Sequence, residues 1–89
     1  MNSSKGWDLQ IDSSVFRAFK KIPRSDIENL LVAIRLLPEN PYFGDIQKMK
    51  GENGAWRRRI GSYRIFYRVK IAERVVLVFH LERRTSKTY

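Results

Sequence analysis

Residues 55–71 read AWRRRIGSYRIFYRVKI and give the clearest indication of the fold. They contain two runs rich in β-branched and aromatic residues, which are separated by the pair Gly61-Ser62. Residues of that kind favour strands, and glycine favours the tight turn between them. We therefore predict an antiparallel pair of strands at residues 55–60 and 63–71.

Two further strands are predicted in the flanking sequence. A turn around Ala72-Glu73 leads into a third apolar run at residues 74–81, so three consecutive strands should form a meander. Apolar and polar residues alternate at residues 7–11, which predicts a half-buried first strand. Residues 39–54 are rich in turn-forming residues and are predicted to be loop, with a short extended piece at residues 46–49.

Between the first strand and the loop, apolar residues recur at helical spacing. Asp12 stands at an N-cap position before the stripe Val15, Ala18, Phe19 and Ile22. A second helix is predicted from the capping-box pair Ser25 and Glu28 to Pro38, with the inward stripe Ile27, Leu30, Leu31, Ile34 and Leu37. Helices that precede consecutive strands predict a single α+β domain over residues 1–89, with the helical hairpin covering one face of one sheet.

Strand parity divides the side chains of the hairpin between two faces. The apolar face should carry Tyr63, Ile65, Tyr67, Val69 and Ile71 and lie under the helices. The other face should be open and carry Arg64, Phe66, Arg68 and Lys70. Arg57 and Arg59 should join the open face, because Trp56 and Ile60 require burial.

The net charge of +9 belongs to the second half of the chain. Residues 1–45 carry equal numbers of basic and acidic residues, whereas residues 46–89 carry twelve basic and three acidic ones. Such a field attracts phosphate or an acidic partner protein. Arginines around an aromatic ring suit RNA, since guanidinium groups grip phosphates and a ring can stack on an unpaired base. The alternative is a solvated sheet face with no ligand.

The composition excludes several classes of site. The chain has no cysteine, so disulfides and thiolate metal sites are excluded and a reducing, cytoplasmic location is expected. Residues 1–6 lack an apolar signal region, and the apolar run at residues 75–79 is too short to span a bilayer. One histidine and three scattered carboxylates in the basic half form no plausible metal cage, so we expect chemistry without metal or cofactor.

The order of the motifs resembles the RelE-type toxins of the RelE/ParE superfamily of toxin-antitoxin pairs. Met49-Lys50-Gly51 is similar to the family's Lys-Leu-Lys-Gly segment, residues 61–67 match its Gly-x-Tyr-Arg-hydrophobic-x-Tyr segment, and Arg83 is followed by Tyr89 six residues on. The resemblance implies the toxin of a type II toxin-antitoxin system. It implies a metal-independent endoribonuclease that cuts mRNA in the ribosomal A site by 2′-OH attack on the phosphate and so inhibits translation. It also implies a cognate antitoxin, acidic and partly disordered, that covers the basic face.

The resemblance implies a set of catalytic residues, namely Arg57, Arg59, Arg64, Arg83 and Tyr89. Charge and position add candidate RNA-binding residues, namely Lys48, Lys50, Arg58, Phe66, Arg68, Arg84 and Lys87. The best-known RelE toxins carry lysine where this chain has Arg57 and Arg59, and arginine stays protonated, so neither can serve as general base. By parity His80 shares the side of Val76 and Val78, which favours a packed histidine over a catalytic one.

Two other functions remain open at this point. A ParE-like gyrase poison belongs to the same superfamily and would not need the set of arginines. A non-catalytic nucleic-acid-binding module would bind RNA with an affinity that falls with salt and would cut nothing.

Overall fold

The computed structural model describes residues 7–51 and 54–83 of the chain. The elements in chain order are β1 (Asp8–Ile11), α1 (Ser13–Phe19), α2 (Arg24–Leu36), β2 (Ile46–Lys48), β3 (Ala55–Ile60), β4 (Tyr63–Lys70) and β5 (Val75–Arg83). The strands form one sheet in the order β1-β5-β4-β3-β2, in which β1 runs parallel to β5 and all other neighbours are antiparallel. The predicted α+β class and the meander are confirmed, and the extended piece before β3 joins the sheet as an edge strand.

The two helices begin in different ways. The Asp12 carboxylate accepts a hydrogen bond of 3.0 Å from the backbone N–H of Ser14, which caps α1 as predicted. Hydrogen bonding to the side chain of Ser14, and then to its backbone N–H, lowers the pKa of Asp12. The predicted capping box of α2 is wrong. Pro23 occupies the N-cap instead, and its carbonyl accepts from the backbone N–H of Asp26 and Ile27 at 3.0 Å each, so Ser25 already lies inside the helix.

The core lies between the helices and one face of the sheet. It joins Val15, Leu30, Ile34 and Leu37 of the helical layer to Tyr63, Ile65, Tyr67, Val69, Val76, Val78 and Leu81 of the sheet. Parity therefore assigned β4 correctly, except that the strand ends at Lys70 and leaves Ile71 exposed in the following turn. Among the described residues, no helix is long and apolar enough to cross a membrane.

Two tyrosines of β4 tie the sheet to α2 and to the loop that follows it. Tyr67 is fully buried, and its hydroxyl donates to the carbonyl oxygen of Pro41 at 2.5 Å. Burial raises the pKa of Tyr67 to about 12. The Tyr63 hydroxyl donates to Asp26 Oδ2 at 2.7 Å. Burial is the main cause that raises the pKa of Tyr63, and this hydrogen bond is the second.

A β-bulge in β5 changes which residues face the helices. Phe66 pairs with His80 but Tyr67 pairs with Val78, so Phe79 is an extra residue. An inserted residue interrupts the two-residue period of a strand. His80 therefore lies on the face away from the helices, and its predicted position beside Val76 and Val78 is wrong.

Candidate functional site

The sheet face away from the helices carries a cluster of basic side chains, which we call the arginine face. It consists of Arg57, Arg59, Arg64, Phe66, Arg68, Lys70, Phe79, His80 and Glu82. Arg59 lies opposite Arg64, which in turn lies opposite Glu82. In the next row Phe66 lies between Arg57 and His80. Cross-strand neighbours lie about 5 Å apart, so the face brings three of the predicted catalytic arginines together.

Phe66 forms the floor of this face. Its side chain is on the predicted side, but the residue is only 8% exposed. The His80 ring centroid lies 5.1 Å from that of Phe66, the Phe79 ring lies 6.4 Å away, and Arg68 Cζ lies 5.3 Å from the Phe79 centroid. The predicted open stacking platform is therefore wrong, because its neighbours cover the ring. His80, with 51% of its side chain exposed, is the accessible ring above this floor.

Acidic and amide side chains flank the arginines. Arg59 Nε lies 3.5 Å from Asp45 Oδ2, and Arg64 Nη1 lies 3.2 Å from Glu82 Oε2. Arg57 donates to the side-chain oxygen of Gln47. Residues 53–72 contain no acidic residue in the sequence, but the surface that they form is not free of acids, because Asp45 and Glu82 reach the two ends of the Arg59–Arg64 row. Exposed pairs of this kind contribute only about 0–1 kcal/mol, so a phosphate can displace them.

The face excludes three predicted residues that parity or the bulge directs elsewhere. Arg58 points to the helix side of β3, where its Cζ lies 5.6 Å from the Phe43 ring centroid. Lys48 pairs with Trp56 and lies on the same side. Arg83 pairs with Tyr63, and its Cζ lies 5.6 Å from the Tyr63 ring centroid.

One of the remaining predicted residues lies in a turn, and the other three lie outside the described residues. Lys50 lies in the turn that follows β2. The predicted positions Arg84, Lys87 and Tyr89 lie outside the described residues.

A groove of about 640 Å³ separates α1 from the last part of β5. Arg17, Lys20, Lys21 and Arg83 line it, over an apolar floor that includes Leu81. His80 and Glu82 line the groove as well, so they stand between it and the arginine face. The positive surface therefore extends onto the helical layer, although residues 1–45 carry no net charge. Among the residues that the structure describes, no cluster of three His, Cys, Asp or Glu side chains could hold a metal ion.

Comparison with known proteins decides the family. The model of the ParE toxin of type II toxin-antitoxin systems, parDE, matches residues 7–87. This chain belongs to the ParE toxin family. It is a type II toxin of the RelE/ParE superfamily, so the resemblance seen in the sequence is confirmed.

One curated relative and two solved structures named as RelE toxins are also similar to this chain. A curated protein of Methanocaldococcus jannaschii named "Putative toxin RelE1" is 28% identical over 81 residues, which cover 88% of this chain and 90% of the relative. The RelE-RelB complex of Pyrococcus horikoshii has a TM-score of 0.78 at 23% identity, covering 91% of this chain and 98% of that one. The isolated Escherichia coli RelE toxin has a TM-score of 0.76 at 19% identity, covering 91% and 87%. These two structures share its fold.

The pairing of His80 with Glu82 was not predicted from the sequence. Nε2 of His80 lies 3.3 Å from Glu82 Oε1, and the other carboxylate oxygen bonds Arg64. No glycine or proline marks the bulge that turns His80 outward. The one sequence signal of the bulge is that the spacing of buried apolar residues changes from two residues, Val76 to Val78, to three residues, Val78 to Leu81.

Proposed function

We propose that this toxin is a ribosome-dependent endoribonuclease that cuts mRNA in the ribosomal A site and so inhibits translation. The observation that carries the proposal is the meeting of Arg57, Arg59 and Arg64 on one sheet face. The similarity to a protein named as a RelE toxin supports it. A ribosomal substrate would place the toxin in the cytoplasm.

The proposed reaction is attack of a ribose 2′-OH on the adjacent phosphate, which leaves a 2′,3′-cyclic phosphate and a free 5′-OH. Negative charge builds on the phosphate oxygens as the new bond forms. Guanidinium groups held in place before the reaction stabilise that charge at little reorganisation cost. Arg57, Arg59 and Arg64 would take this role, while Arg68, braced against Phe79, would hold a neighbouring phosphate. In this proposal, side chains of this chain supply the positive charge that stabilises the phosphate.

The end of the chain has a secondary part in the proposal. Tyr89 would stack on or orient a base, as the resemblance implies. Arg83 lies on the helix side of β5, next to the groove, so it would act from the rim and not within the arginine row. Arg83→Ala should therefore slow cleavage less than Arg64→Ala does.

A cognate antitoxin is the proposed protein partner. RelE toxins of Pyrococcus horikoshii and Escherichia coli have been crystallised in complex with RelB. Exposed cations on the arginine face and around the groove suit an acidic, partly disordered segment, which would order on binding and cover the face. Occlusion of the arginines would keep the toxin inactive.

The proposal is tested with purified ribosomes, a defined mRNA and primer extension to map the cut. We expect cleavage within the A-site codon by the wild-type toxin and little cleavage of naked RNA. Arg57→Ala and Arg64→Ala should each slow cleavage by about 10²–10³-fold, the effect of removing one pre-placed donor. Arg35→Ala removes the same charge from the exposed side of α2 and should cut at the wild-type rate.

A gyrase poison is the second candidate, because the matching family model is that of ParE toxins. Intact mRNA together with gyrase-dependent DNA breaks would favour it and overturn the ribonuclease proposal. A non-catalytic RNA-binding module would instead show no cleavage of either substrate. Its affinity would fall with salt at a slope of about 0.7 per neutralised phosphate.

A further inference from the structure

The proposed cleavage needs a group that accepts a proton, and the arginine face contains one histidine. We propose that His80 is the general base that removes the proton from the attacking 2′-OH, and that Glu82 is the residue that positions it. This inference rests on the proposed ribonuclease function and adds a catalytic residue to it.

Chemistry singles out His80 among the side chains of the face. Arginine stays protonated in proteins and cannot accept a proton. The two carboxylates at the ends of the arginine row are each engaged, Asp45 with Arg59 and Glu82 with Arg64. Histidine has an unperturbed pKa of about 6.5, close to the pH at which a base must be both unprotonated and effective.

The geometry holds the imidazole from two sides. Its ring packs on Phe66 with 5.1 Å between the centroids, and its Nε2 lies 3.3 Å from Glu82 Oε1. Glu82 is itself anchored, because Arg64 Nη1 donates to its Oε2 at 3.2 Å. When Nε2 carries the proton and donates it to Glu82, Nδ1 is left with the lone pair that a base requires.

The position of His80 links this imidazole to the phosphate-binding arginines. Phe66 lies between His80 and Arg57, and Arg64 lies one row further along. Strands are spaced by about 4.8 Å, so the backbones of His80 and Arg57 lie about 10 Å apart, with β4 between them. A phosphate and its ribose would lie on the solvent side of the residues that cover Phe66, between the arginines and the imidazole. His80 is half exposed, so a bound nucleotide can reach it.

Charged groups on four elements surround His80. Glu82 on β5 is an anion in contact with the imidazole, and Arg64 on β4 and Arg57 on β3 are cations on the same face. Across the groove, the α1 residue Arg17 and the following Lys20 and Lys21 add positive charge, as does Arg83 at the end of β5. Cations outnumber anions among these described neighbours of His80.

The proton and electron balance of the step is complete with water as the only other reactant. The 2′-oxygen forms a bond to phosphorus as its proton moves to His80 Nδ1. The bond from phosphorus to the 5′-oxygen breaks, and the leaving oxygen takes a proton from water. His80 then returns its proton to solvent. The products are a 2′,3′-cyclic phosphate and a 5′-OH, with no oxidant or reductant.

The test is single-turnover cleavage on mRNA-programmed ribosomes at saturating toxin, measured from pH 5.5 to 8.5. We expect the wild-type rate to fall on the acid side as His80 becomes protonated. His80→Gln should lower the maximal rate by about 10²–10⁴-fold, the usual range for a general base, and should remove that acid limb. The toxin concentration at half-saturation should stay unchanged.

Two further variants separate catalysis from structure. His80→Ala should be rescued in part by added imidazole, which a merely structural residue would not allow. Glu82→Gln should shift the acid limb to lower pH, because it removes the anion that favours protonated His80. Arg35→Gln, on the exposed side of α2, is the matched control and should keep the wild-type rate and pH profile.

Each result decides between the two proposals. If the wild type cuts mRNA and His80→Gln keeps its rate and acid limb, the role of His80 is refuted while the ribonuclease function stands. An acid limb that survives His80→Gln but vanishes in Glu82→Gln would make Glu82 the base and also refute it. A wild-type toxin that cuts no mRNA on the ribosome overturns both proposals.

Discussion

Arg58 offers a stability prediction that separates the fold from the proposed activity. Its Nε and Nη1 are buried and have no hydrogen-bond partner among the described residues. Its guanidinium lies over the Phe43 ring and so close to Gly44 that a Cβ built there would be 2.8 Å from Cζ. An unsatisfied buried polar group costs about 1–3 kcal/mol, and an exposed to partly buried cation–π contact returns only about 0.5–2 kcal/mol.

Arg58→Met should therefore stabilise the protein, because methionine fills similar space without buried donors. Removing two unsatisfied donors gains about 2 kcal/mol if each costs the lower value of that range. Losing the cation–π contact with Phe43 costs part of this gain, so the net increase in unfolding free energy is about 1 kcal/mol. For a domain of this size, 1 kcal/mol raises the midpoint of thermal unfolding by about 4–8 °C. The mRNA cleavage rate should not change, since Arg58 is absent from the arginine face.

Urea unfolding followed by tryptophan fluorescence measures this effect. The midpoint should rise for Arg58→Met with an unchanged m-value. Arg59→Met is the matched control, because the Arg59 side chain is 49% exposed, and its unfolding free energy should change by no more than about 0.5 kcal/mol. A fall in the Arg58→Met midpoint would show that the guanidinium stabilises the fold and would refute the reasoning.

Four further predictions concern the core, a cap and pH. Tyr67→Phe removes the hydroxyl that donates to Pro41 and should lower the unfolding free energy by about 1–3 kcal/mol in urea titrations; an unchanged midpoint would contradict this. Because the folded pKa of Tyr67 is about 12, its neutral form contributes stability fully below about pH 10, the unfolded pKa, and loses it as pH rises through 12. Urea midpoints from pH 9 to 12 should fall less steeply for Tyr67→Phe than for wild type, and equal slopes would be inconsistent with the raised pKa. Ile34→Ala leaves a cavity at a fully buried site and should lower the unfolding free energy by about 2–5 kcal/mol in calorimetry. A loss below about 1 kcal/mol would indicate that the core collapses around the cavity. Asp12→Ala removes the bond to the Ser14 N–H and should cost about 0.5–2 kcal/mol, with Asp12→Asn close to wild type; equal losses in both would argue against capping.

The helices and the hairpin were predictable because their patterns are local. Val15, Ile34 and Leu37 recur at the helical period and are all buried in the structure. In β4 the alternation of Tyr63, Ile65, Tyr67 and Val69 assigns the core face correctly, because a regular strand has no other way to bury that set. The same rule placed Arg57 and Arg59 beside Arg64.

The β5 side of the site could not be predicted, because its geometry depends on register. Parity counted along β5 assumes a regular strand, and the extra residue Phe79 shifts every later side chain to the other face. The extra residue packs near Phe66 of β4, with 6.4 Å between the two ring centroids. His80 was therefore predicted on the helix side, although it lies on the arginine face. Arg83 was predicted among the catalytic arginines, although it lies on the helix side.

The charge pattern was informative about sign and less so about position. Five basic residues of the second half do collect on one sheet face, namely Arg57, Arg59, Arg64, Arg68 and Lys70. Asp45 and Glu82 reach that face from distant sequence positions, so a run without acids cannot show where counter-charges lie. Arg58 illustrates the converse, because it sits between two arginines of the face in the sequence and lies on the opposite side of the sheet.

The central claim is that the arginine face presents a phosphate to the neighbouring 2′-OH. The most direct measurement uses ribosomes programmed with an mRNA in which the nucleotide 5′ to the mapped cut carries 2′-O-methyl ribose. We expect this mRNA to stay intact at the modified position, while the unmodified message yields a 2′,3′-cyclic phosphate and a 5′-OH. Cleavage of the methylated message at the same site and rate would contradict it, because the attacking group would then have to be something other than the ribose hydroxyl.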